Sequence, residues 1–184
     1  IDIKRQFYSR TITPLGFVNG IRTFCYGLSK KVLIANTIAV YVDNIFSKSV
    51  DTLTIADCWL GAIGYTLQIY FDFSGYSSMA IGLAMLFGFH YKENFNYPYI
   101  ARSATEFWRR WHISLSTWLR DYVYISVGGN RVVPWRRYLN VLFVFFCSGL
   151  WHGANITFVC WGLLYGIFIV IENIGLNKLL KKYN

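Results

Sequence analysis

A single imidazole, that of His152, lies in the least charged part of the sequence. From Tyr138 through Ile171 the chain has no Asp, Glu, Lys or Arg, and His152 follows the motif "SGLW". An ionisable side chain among apolar residues is costly unless it has a partner or lines a wet cavity. Because a neutral imidazole can accept a proton from a hydroxyl and return one to a leaving group, His152 is a candidate general base. The alternative is a neutral histidine that bridges two helices through hydrogen bonds.

The residues around His152 are suited to a binding pocket. Trp151 can form one wall of it, and Asn155 can orient the imidazole or a substrate oxygen. Ser148 lies one helical turn before His152 and could share its helix face. The sequence has no G-x-S-x-G elbow, so transfer to an external hydroxyl is favoured over a covalent intermediate on Ser148.

Two further histidines are candidates for catalysis or metal binding. His112 lies on the flank of a predicted surface helix, where a packing role is more common than a catalytic one. Metal binding by His112 and His152 would need further ligands, and His90 has no i, i+4 partnership with either. The sequence therefore predicts no metal site.

Three charged residues are candidates for substrate binding. Arg109 and Arg110 suit the charge of a phosphate, either of a lipid or of an acyl donor such as coenzyme A. Asp72 stands alone between two apolar blocks. It is either a buried hydrogen-bond acceptor with a structural role, which is slightly favoured, or a group that binds a proton or a substrate.

The composition indicates an all-α protein with several membrane-spanning helices. Of the 184 residues, 55% are hydrophobic and 15% charged, whereas a soluble domain is about a quarter charged. The apolar residues come in long blocks, which favours helices buried in lipid or against one another. The net charge of +9 comes from basic residues beside these blocks, and this pattern indicates cytoplasmic loops and anionic lipid headgroups instead of nucleic acid.

The apolar blocks predict that residues 1–184 form part of one transmembrane domain with several helices. The Gly and Ser of "DFSGYSS" predict a chain break or reversal around Asp72. Ser103 and Glu106 fit a capping box that opens a helix at the membrane surface. The predicted spans are 53–71, 73–91, 139–151 and 156–172, the surface helix covers 104–126, and residues 12–46 form one long helix or two shorter pieces.

Charge also predicts an orientation in the cell's inner membrane. The segment 92–137 and the tail 177–184 are basic, so both are expected on the cytoplasmic side. Asp72 and His152 would then lie at the far ends of two helical hairpins. The span that leads to His152 is shorter than the hydrocarbon core, which places the imidazole inside the membrane.

Five motifs occur in an order that resembles a known family. They are "YFDFSGYSSMAIG", "ENFNYPY", "EFWRRWHISLSTWLRDYVYI", "GGNR" and "SGLWHG". The set is similar to the membrane-bound O-acyltransferases, in particular to the bacterial branch that contains the alginate O-acetylation acyltransferase. The D-alanyl transferase for teichoic acids is a more distant relative. One position departs from this pattern, since many alginate-type relatives have an acid where Ser78 stands.

The resemblance implies a fold and two site residues. The family fold is a ring of transmembrane helices around a funnel or tunnel that joins a cytoplasmic acyl donor to an acceptor from the other side. His152 matches the family's invariant histidine, and His112 matches its second important polar residue. Relatives have further helices before and after this region, so the chain looks like an internal segment of a longer protein.

The expected function is therefore O-acyl transfer. An acetyl group would pass from a cytoplasmic thioester, either acetyl-coenzyme A or an acyl carrier protein, to a hydroxyl of an exported or cell-surface polysaccharide or to a partner protein. No tightly bound cofactor is expected, and the lipid bilayer is an expected partner. The alternatives are a proton-coupled transporter or channel that uses Asp72 and His152, and a scaffold that only assembles secretion partners.

Overall fold

Helices make up all of the regular secondary structure between residues 2 and 176, the part of the chain that the computed structural model describes. This confirms the predicted all-α class. Contacts group the chain into two compact units, Ile1–Glu93 and Asn94–Asn184. The predicted basic tail, residues 177–184, lies outside the described residues.

The first unit is built on two long helical runs. After a short helix α1, α2 continues through a π-helical turn into α3 without a break, so residues 12–46 contain one long run. The second run is a single long helix, α4. It begins after a cap in which the Thr54 hydroxyl accepts a hydrogen bond from the Asp57 N–H. The bounds are α1 Asp2–Ser9, α2 Pro14–Ser29, the π-helical turn Lys30–Ala35, α3 Asn36–Phe46 and α4 Ile55–Leu86.

The predicted reversal at Asp72 is wrong, because α4 runs through it for 32 residues. Two predicted spans, 53–71 and 73–91, are therefore one helix that ends at Leu86, and Asp72 lies near its middle. The small residues after Asp72 serve helix packing instead of a turn. A Cβ built on Gly75 would lie 2.7 Å from the Gly27 carbonyl oxygen of α2, so only glycine allows this close approach.

The second unit contains a pair of packed helices preceded by shorter elements. Its helices are α5 Ala104–Arg110, α6 Ile113–Trp118, α7 Pro134–His152 and α8 Ile156–Ile171, with π-helical turns at Leu119–Tyr124 and Glu172–Leu176. α7 and α8 contain the predicted span 139–151 and nearly all of 156–172, and the predicted break between them is confirmed. They pack closely, since a Cβ on Gly149 would lie 2.5 Å from the Phe158 carbonyl oxygen.

The prediction of one surface helix over 104–126 is wrong in its continuity. Ser103 is the N-cap as predicted, with its hydroxyl accepting from the Glu106 N–H at 3.0 Å. The second half of the predicted capping box is wrong, because the Glu106 side chain accepts from the Arg102 N–H instead, at 3.0 Å. The helix then breaks between α5 and α6, because Trp111 is extended and His112 has a left-handed backbone with φ of 44°. The position of these helices at the membrane surface stays a prediction.

One helix among the described residues, from Ile156 to Gly175, is long and apolar enough to cross a bilayer, with a mean hydropathy of 1.8. It coincides with the predicted span 156–172. Membrane crossing by α4 and α7 stays a prediction, as does the proposed orientation.

Candidate functional site

The second unit contains a cavity of about 260 Å³ between its short helices and the α7–α8 pair. Most of its wall is apolar. The polar side chains that line it are few and include both candidate histidines. They are Thr105, Arg109, His112, Ser116, Arg120, Tyr124, Ser148 and His152.

His152 is held in an aromatic surround at the end of α7. Its ring centroid lies 5.0 Å from those of Trp151 and Trp161 and 6.2 Å from that of Phe158. The two contacts from α8 fix the ring against the start of that helix. His152 is nevertheless exposed, so these rings restrict the orientation of the imidazole from one side and leave it open on the other.

His112 reaches the same cavity from the break between α5 and α6. Only 9% of the residue is exposed, and its ring centroid lies 5.8 Å from that of Trp151. Burial lowers the pKa of His112 to about 4, and the charge of His152 acts in the same direction. His112 is therefore neutral at pH 7 and has one nitrogen that donates and one that accepts.

The two candidate arginines have different surroundings. Arg109 lines the cavity. Arg110 does not, since its Nε and Nη2 donate to Glu106 Oε1 at 2.9 and 2.7 Å and its Nη1 donates to the Asn96 carbonyl oxygen at 3.2 Å. The Arg102 backbone N–H and the Arg110 guanidinium lower the pKa of Glu106, which stays ionised. Arg109 therefore lines the same cavity as the histidines, whereas Arg110 links α5 to the segment that contains Asn96.

Neither Trp151 nor Asn155 lines the cavity. Trp151 contacts both imidazoles through its ring, yet 58% of it is exposed. Asn155 is the N-cap of α8, and its Oδ1 accepts from the Thr157 N–H at 3.1 Å. A role in substrate binding stays a prediction for each of them.

Asp72 belongs to the first unit, where its carboxylate accepts a hydrogen bond from Lys31 Nζ. Its side chain is 47% exposed. The ion pair fits a structural role for Asp72, whereas its predicted burial is wrong because the carboxylate lies partly at the surface of the unit. A role toward substrate stays a prediction.

Several residues of the cavity wall were not predicted as site residues, although their spacing contains the signal. Residues 105, 108, 109 and 112 recur at intervals of three and four, as do 141, 144, 145, 148 and 152. Such spacing places side chains on one face of a helix. Thr105 and Trp108 could have been found by extending the face that contains Arg109. Arg120 could not, because it follows the break at His112 and lies in a π-helical turn.

Glu172 was also missed, because its role depends on a contact distant in sequence. The residue is 6% exposed at the end of α8, and its carboxylate accepts from the backbone N–H groups of Ala104 and Thr105 and from the Thr105 hydroxyl. It thereby satisfies the first N–H groups of α5, the helix that contributes Thr105 and Arg109 to the cavity.

Sequence comparison identifies the family of the chain. The sequence model of the membrane-bound O-acyltransferase family matches residues 4–178. The chain is 52% identical over its full 184 residues to a probable alginate O-acetylase, AlgI, of Pseudomonas fluorescens, and it covers 37% of that relative.

Two other relatives are named for different polymers. A peptidoglycan O-acetyltransferase of Helicobacter pylori is 46% identical over 93% of the chain and 33% of the relative. A teichoic acid D-alanyltransferase of Bacillus subtilis is 31% identical over 89% of the chain and 43% of the relative. The chain therefore spans less than half the length of these relatives. With a family match over nearly its whole length, the chain belongs to the membrane-bound O-acyltransferase family and is part of a membrane protein.

Proposed function

We propose that the protein containing this chain is an O-acyltransferase of the inner membrane, crossing it several times. It transfers an acetyl group from a cytoplasmic thioester toward a hydroxyl of an exported or cell-surface polysaccharide, or toward a partner protein that completes the transfer. The observation that carries this proposal is the convergence of His112, His152 and Arg109 on one largely apolar cavity.

His152 is the general base of the proposed reaction. The acceptor hydroxyl attacks the thioester carbonyl carbon while its proton passes to the imidazole, which gives a tetrahedral intermediate and an imidazolium ion. When the carbon–sulfur bond breaks, the imidazolium returns the proton to the departing sulfur. The products are an ester and a free thiol, so the histidine ends the cycle neutral. General acid–base catalysis of this kind contributes about 10²–10⁴-fold to the rate.

The other polar residues of the cavity have supporting roles. His112, neutral at pH 7, is able to donate a hydrogen bond to the reacting carbonyl oxygen or to relay a proton. Arg109 suits the phosphates of the acyl donor, because a guanidinium binds phosphate oxygens through paired N–H groups. The apolar remainder of the wall lowers the local polarity, which strengthens the electrostatic interactions of these groups.

The relatives support the substrate class. Their names refer to acyl transfer involving alginate, peptidoglycan and teichoic acid. All three are bacterial polymers made for the cell surface or for export, and all three offer hydroxyl groups. Two of the names refer to O-acetyl transfer and the third to D-alanyl transfer, so acyl transfer to such a polymer is the activity that the three names share.

Replacement of His152 in the full-length protein tests the proposal. His152→Ala is expected to reduce the O-acetyl content of the extracted surface polysaccharide by about 10²-fold or more, with the variant still present in the membrane. His90→Ala is the matched control, because the bonds between His90 and Gln6 use only the histidine's backbone atoms. Unchanged acetylation in His152→Ala would reject the proposed base.

A further inference from the structure

The backbone of His112 adopts a conformation that histidine rarely takes. Its φ of 44° is in the left-handed region, which an L-residue with a Cβ occupies at a cost. A residue keeps such a conformation only where its surroundings impose it. The surroundings of His112 therefore contain the groups that direct its imidazole into the cavity.

The first N–H groups of α6 identify one of these groups. A helix that begins at Ile113 leaves its first N–H groups without partners inside the helix. The preceding residue, His112, supplies no capping side chain. Asn94 caps α6 from outside the helix. Its backbone carbonyl oxygen accepts a hydrogen bond from the Ile113 N–H at 3.0 Å. Its Oδ1 accepts from the Ser114 N–H at 3.0 Å and from the Ser114 hydroxyl at 2.9 Å.

The residues that follow Asn94 attach to the other side of the break. The Asn96 N–H donates to the Arg110 carbonyl oxygen at 2.9 Å. Phe95 packs edge-on against Trp111, with ring centroids 4.9 Å apart. The segment Asn94–Asn96, here called the strap, thus contacts the chain immediately before and immediately after His112.

We propose that Asn94 is a positioning residue that acts through His112. By capping α6 from outside, it fixes the two residues that follow His112, and this holds the left-handed backbone that turns the imidazole into the cavity. The inference deepens the proposed function and rests on it for the effect on turnover. The effect on the position of His112 is independent of any reaction.

The chemistry of the contact determines which substitutions preserve it. Both bonds to the side chain use Oδ1 as an acceptor, so Asn94→Asp keeps the cap. Asn94→Leu has a similar volume and no side-chain acceptor, so it removes both bonds to Ser114 with little change in packing, while the backbone bond to the Ile113 N–H remains. Asn96→Ala is a matched control in the same strap, because the bonds between Asn96 and Arg110 use only backbone atoms of Asn96.

The test compares these variants in the full-length protein purified in detergent. The first measurement is the rate at which diethyl pyrocarbonate modifies each histidine, followed by mass spectrometry. Asn94→Leu is expected to raise the modification rate of His112 roughly 10-fold, as release of a buried group exposes it, while His152 keeps its rate. Asn94→Asp and Asn96→Ala are expected to match the unaltered protein.

The second measurement is the steady-state rate of acetyl transfer. Misplacing a group by about 1 Å costs up to about 10²-fold in rate, so Asn94→Leu should lower kcat by roughly 10–100-fold with little change in the donor KM. Asn94→Asp should restore kcat. If Asn94→Leu does not accumulate, Ser114→Ala removes one of the two side-chain bonds and should shift both measurements in the same direction by less.

Two results would overturn the inference. One is a His112 modification rate that is the same in Asn94→Leu or Ser114→Ala as in the unaltered protein. The other is faster modification with an unchanged kcat, which would make Asn94 a cap without a role in the reaction. Failure of the proposed function would instead be seen as unchanged acetylation in His152→Ala, whatever the modification rates.

Discussion

His112, at the break between α5 and α6, and His152, at the end of α7, line one cavity, where burial lowers the pKa of His112 to about 4 and the charge of His152 adds to the effect. Two imidazoles coupled in this way do not both carry a proton near neutrality. A proton taken up by His152 during the reaction would therefore stay on that ring until the leaving group accepts it. In the proposed reaction, His152 is thus the base and His112 is its neutral hydrogen-bonding partner.

The lowered pKa of His112 predicts a loss of stability in acid. Between pH 6.5 and about 4 the unfolded chain binds a proton at His112 that the folded chain does not, so the free energy of unfolding falls as the pH falls through this range. Above pH 6.5 His112 has no effect on the pH dependence. A shift of this size corresponds to a loss on the order of 3 kcal/mol at pH 4.

A variant that does not titrate isolates this contribution. His112→Asn stays neutral, and asparagine tolerates the left-handed backbone, so any change in strain is independent of pH. The midpoint of thermal unfolding in detergent, measured from pH 7 to pH 4, should fall less in His112→Asn than in the unaltered protein. Parallel curves for the two proteins would contradict the prediction.

The separate surroundings of Arg109 and Arg110 predict separate effects on binding. Arg109 lines the cavity, whereas Arg110 is bonded to Glu106 and to the Asn96 carbonyl. Arg109→Gln should raise the donor KM roughly 10–100-fold, the equivalent of one or two charge-assisted hydrogen bonds. Arg110→Gln should lower the unfolding temperature and change the donor KM by less than about 3-fold. Equal effects of the two substitutions on KM would show that Arg109 has no special contact with the donor.

Local signals in the sequence were sufficient for part of the fold and of the site. The Ser103 cap, the break after His152 and the helices on either side of that break all depend on residues within a few positions of one another. His152 could be singled out because an isolated ionisable group in an apolar segment is unusual whatever its neighbours in space.

The remaining features depend on contacts between distant residues. Gly and Ser residues such as those after Asp72 are typical both of turns and of closely packed helices. Here they serve helix packing, because α2 approaches Gly75 closely. The break at His112 likewise depends on acceptors from Asn94, which is remote from it in sequence. A pattern confined to one segment contains no information about such partners.

The ion pair between Lys31 and Asp72 allows a test of the structural interpretation of Asp72. In this interpretation Lys31→Met or Asp72→Asn alone leaves one charge unpaired, whereas the double variant leaves none. Each single variant should therefore lower the yield of folded protein in the membrane, and the double variant should recover part of it, with a coupling energy of about 1 kcal/mol. Loss of acetylation in Asp72→Asn at full yield, without recovery in the double variant, would indicate contact with substrate instead.

The buried carboxylate of Glu172 should be important for stability through α5. It accepts three hydrogen bonds from Ala104 and Thr105, and glutamine offers one acceptor oxygen and an NH₂ group that would face the same donors. Glu172→Gln should lower the free energy of unfolding by about 1–3 kcal/mol. It should also raise the donor KM, since α5 contributes Arg109 to the cavity.

Asp121→Asn is the control for Glu172→Gln, because the carboxylate of Asp121 pairs with the exposed Arg120 and an exposed pair contributes less than about 1 kcal/mol. If Glu172→Gln unfolds at the same temperature as Asp121→Asn, the carboxylate does not anchor α5, and the position of Arg109 must depend on the packing of Trp108 against α7 and α8.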